Sequence, residues 1–233
     1  MKKKIAYLFQ ITLLAITYFI SGNFCNYVGI PNEFGTIIWP PSGISLAAVL
    51  LLGPRISVGI LLGAFFTNLF FLEKIYGLIT PLSVITAIIE SCGAALQAFA
   101  GARLLSRFAH YPNSLANEKQ LFLFFFVSML GAFFSATVAI TTLTLTGQIS
   151  YSDALSHWTD WYLGDVMGIF IFTPLLLVLF SPDKIFHDRR LVVSMTILSA
   201  FLLTAYLVYY EFQEEKKRFQ FEFEKDALAI HAK

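Results

Sequence analysis

Long apolar runs separated by short polar stretches organise the chain from end to end. A helix needs about 20 apolar residues to cross a hydrocarbon core of about 30 Å. The runs that reach or approach that length are Ile5–Tyr27, Ile37–Leu52, Ile56–Leu72, Leu78–Leu104, Leu121–Thr146, Trp158–Phe180 and Leu191–Tyr210. They are apolar on all sides, whereas a β-barrel would show short alternating segments. The pattern therefore predicts an all-α, polytopic membrane helix bundle of about seven transmembrane helices. The second and third runs are short, and only Gly53, Pro54 and Arg55 separate them, which predicts a tight helical hairpin. Pro40 and Pro41 open the second run, where first-turn N–H groups have no intrahelical acceptor. Trp39 just before them suits the outer interface, and Pro174 should kink the sixth run.

Small residues recur at helical spacing: Gly59 and Gly63; Ala94, Ala98, Gly101 and Ala102; Gly131, Ser135 and Ala139, with Ala132 and Ala136 beside them. In lipid there is little hydrophobic drive between helices, so close backbone approach supplies the contact energy. These stripes predict one packed bundle.

Composition sharpens the class. With 57% hydrophobic and 13% charged residues, the chain lacks the polar surface of a soluble domain of this size, and the lipid bilayer is its expected partner. A net charge of +1 gives no basic field for nucleic acid. Lys and Arg mark alternate connections: Lys2–Lys4, Arg55, then Arg103, Arg107 and Lys119, then Lys184, Arg189 and Arg190. By the positive-inside rule the N-terminus is inside, and seven spans place the tail beyond Tyr210 outside. The first run exceeds a signal-peptide core and no small-residue cleavage site precedes Cys25, so it reads as a signal anchor. Cys25 and Cys92 fall at different depths, which argues against a disulfide and for buried apolar thiols.

Polar residues inside the apolar runs are the candidate chemistry. Counted along the runs at 1.5 Å per residue, Asp165 lies about 10 Å below Trp158, Asn68 about 6 Å from the outer end of its run, and Glu90 about 18 Å down its own, near the midplane. A charge at such depth is expensive, so these groups should face the bundle or a watered cavity. Asp165 and Asn68 share the outer half with Trp39, Ser42, Trp158 and Trp161 and could line an outward-opening pocket for a small ligand. Equally, Asp165 and Asn68 could be interhelical hydrogen-bond glue. Glu90 has no cationic partner at its depth and is expected to carry its proton or to bond to a neighbouring helix. Asp153, His157 and Asp160, at i, i+4 and i+7, could ligate a divalent cation, although a solvated loop ahead of a tryptophan belt explains them as well. No zinc spacing, phosphate-cradling loop, nucleophile elbow, kinase or cyclase motif occurs, so neither cofactor nor catalysis is expected.

Four blocks in order carry a family resemblance: "WPPSGISLAAVLLLGPR" (39–55), "GILLGAFFTNLF" (59–70), "IIESCGAAL" (88–96) and "WTDWYLGDVMGIFIFTPLLL" (158–177). Together they resemble MASE1, a bacterial integral membrane sensory domain, over about residues 5–210. MASE1 modules head histidine kinases and the cyclases or phosphodiesterases that turn over cyclic di-GMP. The resemblance implies signal input in the bacterial inner membrane, without catalytic output in this chain, and dimerisation through an output region that is missing here. Residues 211–233 read as an amphipathic tail, with Tyr209, Phe212, Phe219, Phe223, Ala227 and Ile230 at helical steps, although "FQFEFE" alternates like a strand. That tail resembles the opening helix of an extracytoplasmic CHASE-type segment, and its abrupt end suggests a fragment of a longer receptor. The rival readings are a small transporter or channel, with Asp165 and Glu90 as coupling groups, and a structural anchor for another receptor chain. A transporter should show interrupted helices in two related halves, and no internal repeat is evident.

Overall fold

A computed structural model describes residues 2–28, 36, 38–108 and 118–180, and the single positions 194, 195, 198, 199, 201, 202 and 206. The chain divides into two units, Met1–Asp188 and Arg189–Lys233. The described positions of the second unit are helical, and Ser199 Oγ there donates to Met195 O at 2.7 Å. Most of the predicted seventh span, and the whole tail 211–233, lie outside the described residues.

The first unit is helical: α1 (Lys2–Val28), α2 (Pro40–Leu52), a 3-10 turn (Pro54–Ile56), α3 (Ser57–Tyr76), α4 (Pro81–Phe108), α5 (Glu118–Leu145) and α6 (Ala154–Phe180). No strand occurs among the described residues. Local chemistry sets the ends. Gly77, at φ 73°, takes the left-handed conformation that stops α3, and its N–H bonds to Glu73 O at 2.7 Å. Thr80 and Ser83 exchange backbone-to-hydroxyl bonds at the start of α4 (Ser83 N–H to Thr80 Oγ1 3.0 Å, Thr80 N–H to Ser83 Oγ 3.4 Å), a capping box ahead of Pro81. Among the described residues, five helices are long and apolar enough to cross a membrane. The sixth, α2, has 13 residues and reaches only about 20 Å.

Packing partners give each helix a direction. Tyr7 Oη donates to Arg55 O at 2.8 Å at one end of α1, and Lys74 Nζ donates to Asn26 O at 3.4 Å at the other, so α1 and α3 run parallel. Gly59 and Gly63 seat α3 against Leu14 and Tyr18 of α1. Helices α4 and α5 are antiparallel, with Gly131 against Gln97 and Gly101, and Gly93 against Val138. The small-residue stripes are thus contact lines: Ala98, Ala102, Ala132, Ala136 and Ala139 are all buried.

Two expectations need correction here. The turn between α2 and α3 is tight, but the helices do not pack as a hairpin: α3 lies on α1 and α4, whereas α2 lies on α6, α4 and α1. Helix α2 carries no charge and is the buried helix of the bundle, with only Leu52 exposed. The second correction concerns the thiols. Both are free, but Cys92 is exposed on the outward stripe of α4 with Ile85, Ile88, Ile89, Leu96 and Phe99.

The order and directions of the helices collect Lys2–Lys4, Arg55, Arg103 and Arg107 at one end of the bundle, and Glu73, Lys74 and Asp153 at the other. This is the charge segregation on which the topology expectation rests.

Candidate functional site

The site begins with non-helical backbone. Ahead of Pro40 the chain enters the bundle with Trp39 at φ −115° and ψ 85°, and it lies directly on α6. Trp39 N–H donates to Gly164 O at 2.9 Å, and Thr173 Oγ1 donates to Gly43 O at 3.0 Å. Ser42 Oγ lies 2.8 Å from Trp39 O and 2.9 Å from Asp165 O, so its one proton serves either carbonyl. Irregular backbone inside a membrane protein is tolerated only where protein or water satisfies it, and these bonds do so.

The glycines flanking Asp165 make this approach possible. A Cβ on Gly164 would stand 2.2 Å from Thr36 O, and one on Gly168 would stand 1.9 Å from Trp39 O and 2.6 Å from Ser42 Oγ. On α2, a Cβ on Gly43 would meet Gly168 O at 2.2 Å. Any side chain at these three positions would push α2 and its leading segment off α6.

Behind this contact, polar side chains from all six helices converge. Tyr18 comes from α1, Ser42 and Ser45 from α2, Asn68 from α3, Glu90 and Gln97 from α4, Ser135 from α5, and Trp161 and Asp165 from α6, with Trp39 closing the edge. The crevice between them measures about 10 Å³, room for one water molecule. Asp165 is 1% exposed and Glu90 5%. Ser135 and Gln97 face the Asp165 carboxylate, but Asp165 Oδ2, Gln97 Nε2 and Ser45 Oγ have no hydrogen-bond partner in the protein. No Lys, Arg or His side chain lines the crevice.

Of the residues singled out in the sequence, Trp39, Ser42, Asn68, Glu90, Trp161 and Asp165 meet here. Trp158 does not. It stacks on Tyr162 (centroids 5.0 Å apart, planes 9° apart), meets Phe133 edge-on at 5.5 Å, and donates Nε1–H to Thr137 Oγ1 at 3.1 Å. Trp39 itself packs inward: its backbone lies against Gly164 and Gly168, and its indole reaches Gly22 of α1. Together the residues that meet line a narrow polar crevice rather than a roomy pocket. The unequal depths expected for Asn68, Glu90 and Asp165 arose from taking apolar runs for helices. Counted from Tyr76, Pro81 and Ala154, the observed helix ends, they lie about 12, 14 and 17 Å in.

Tyr18, Ser45, Gln97 and Ser135 complete the cluster without having been singled out. The signal for Gln97 was present: Glu90, Ala94 and Gln97 stand at i, i+4 and i+7 on one face of α4. Asp153, His157 and Asp160 do not converge, and among the described residues no three His, Cys, Asp or Glu groups could hold a metal. Asp153 instead accepts bonds from Ser150 (2.8 Å) and Ser152 (3.2 Å) in the turn before α6.

Compared with known proteins, the chain matches the MASE1 family model over residues 5–212. No curated protein and no solved structure matches it.

Proposed function

Since the chain belongs to the MASE1 family of membrane sensory domains, we propose that its bundle is the signal-input module of a bacterial receptor of the histidine kinase or cyclic di-GMP type, with the polar crevice as its sensing element. The module works in the bacterial inner membrane with its N-terminus inside, without catalytic output of its own, and signals as a homodimer through an output region outside this chain. One observation supports the reading above the rest: all six helices bring a side chain to a space with room for one water. A change of charge or hydrogen bonding there acts on every helix at once. A stimulus can shift a two-state bundle only if it interacts differently with the two packings. Partly satisfied polar groups, such as Asp165 Oδ2 and Ser45 Oγ, can find a partner in one packing and lack it in another.

Asp165→Asn tests this, because it keeps the size and removes the charge. With the chain fused ahead of a diguanylate cyclase output domain, the variant should reach wild-type membrane levels and lock or blunt cyclic di-GMP production. Aggregation or degradation of the variant, with normal signalling by the protein that survives, would make Asp165 packing glue and end the proposal.

A further inference from the structure

Two carboxyl side chains, Glu90 and Asp165, share a crevice that no basic side chain enters. Asp165 Oδ2 and Ser45 Oγ, on lining residues only 1% and 2% exposed, have no hydrogen-bond partner in the protein. The other donors at hand are neutral oxygens, among them the hydroxyls of Tyr18 and Ser135 and the amide of Asn68. Gln97 brings an amide that presents nitrogen or oxygen by a half-turn of its last torsion.

We propose that this crevice binds one dehydrated monovalent cation of the size of Na⁺, held by the Asp165 carboxylate, Ser45 Oγ and neutral oxygens of the surrounding helices. Oxygen-only donors select hard cations, and with no Cys or His in the lining the site is wrong for soft transition metals. Mg²⁺ keeps several of its waters, for which a crevice of about 10 Å³ has no room. A Ca²⁺ site uses six to eight oxygens, typically with several carboxylates, whereas this one has two carboxyl groups among neutral donors. A single positive charge balances an ionised Asp165 at a depth where an uncompensated charge is expensive. By touching α2 and α6 together, the ion would tie the buried helix to its partner. The inference rests on the sensing role proposed for the same crevice and names what that crevice takes up.

The experiment uses the full chain purified in detergent, with NaCl, KCl and choline chloride compared at equal ionic strength. Its readouts are thermal unfolding and binding of radioactive ²²Na⁺. NaCl should raise the unfolding midpoint above that in choline chloride, increasingly with concentration, and ²²Na⁺ should bind at about one per chain. Asp165→Asn should abolish both effects and Ser45→Ala should weaken them, while Glu73→Gln, outside the crevice, should leave them intact. Ser45→Ala removes no charge, so it carries the test if Asp165→Asn fails to fold. Equal midpoints in the three salts with no bound ²²Na⁺, or undiminished binding in both crevice variants, would overturn the site. The fused receptor separates the two proposals. Locked output in Asp165→Asn without Na⁺ binding removes the ion and keeps the sensing element; Na⁺ binding with output indifferent to Asp165 and to Na⁺ does the reverse.

Discussion

Replacing Gly168 by alanine adds one methyl group at the tightest point of the bundle. Its Cβ would stand 1.9 Å from Trp39 O, against the 3.4 Å at which ordinary contact begins, so the segment must retreat by about 1.5 Å. A retreat of that size breaks the bonds made within two turns of the glycine: Trp39 N–H to Gly164 O (2.9 Å), Ser42 Oγ to Asp165 O (2.9 Å) and Thr173 Oγ1 to Gly43 O (3.0 Å). Interhelical bonds in membrane proteins average about 0.6 kcal/mol, so three are worth about 2 kcal/mol. Overpacking adds about 1–3 kcal/mol. The expected loss is therefore about 3–5 kcal/mol, more than a hundredfold in the folding equilibrium. Gly131→Ala is the matched control. Its Cβ would meet Gln97 O at 3.6 Å and Gly101 Cα at 3.8 Å, both ordinary contacts. That change should be neutral or stabilise by up to about 1 kcal/mol through helix propensity. Both variants can be unfolded by titrating the purified chain from mild detergent into a denaturing one and following tryptophan emission. If Gly168→Ala falls within about 0.5 kcal/mol of Gly131→Ala, the backbone contact between α2 and α6 does not hold the bundle together and the reasoning fails.

Trp158→Phe should cost about 0.6 kcal/mol through loss of the bond to Thr137 and leave the output of the fused receptor unchanged, because Trp158 stands away from the crevice. A locked output would place it in the sensing element after all. For topology, single cysteines introduced as Asn113→Cys and Gln220→Cys in a chain without Cys25 and Cys92 should give labelling by an impermeant thiol reagent in intact cells at position 220 and not at 113. The reverse pattern would invert the assigned orientation.

What the sequence disclosed follows the physics of each signal. Helices show as apolar runs because hydrocarbon imposes length and hydrophobicity together, so α1 and α3–α6 were legible almost to their ends. Asp165, Glu90 and Asn68 stood out because polar groups are costly in such runs. Tyr18, Ser45 and Ser135 gave no such signal, since tyrosine and serine are tolerated in transmembrane helices, and only the packing brings them to the crevice. The partners of α2 were hidden for a different reason. A helix without charges is compatible with lipid and with protein, and the contact that chooses between them joins Gly43 to Gly168 of α6, far along the chain. The packing of Trp39 on α6 was hidden as well, because the backbone bond that joins it to Gly164 leaves no mark on its own neighbourhood in sequence.

The buried helix α2 has a consequence for how the protein is made. At about 20 Å it is too short to rest across a bilayer alone, and the α6 backbone that receives it lies 123 residues later in the chain. At about 5–20 residues per second, the ribosome reaches that partner roughly 6–25 s after α2 has emerged. During that interval the Trp39 N–H, the Ser42 hydroxyl and the Gly43 carbonyl have no α6 to bind, and α1 and α4 are the neighbours available to shelter them. Biogenesis of this bundle therefore includes a waiting state, and a factor that chaperones nascent membrane helices would find its substrate there.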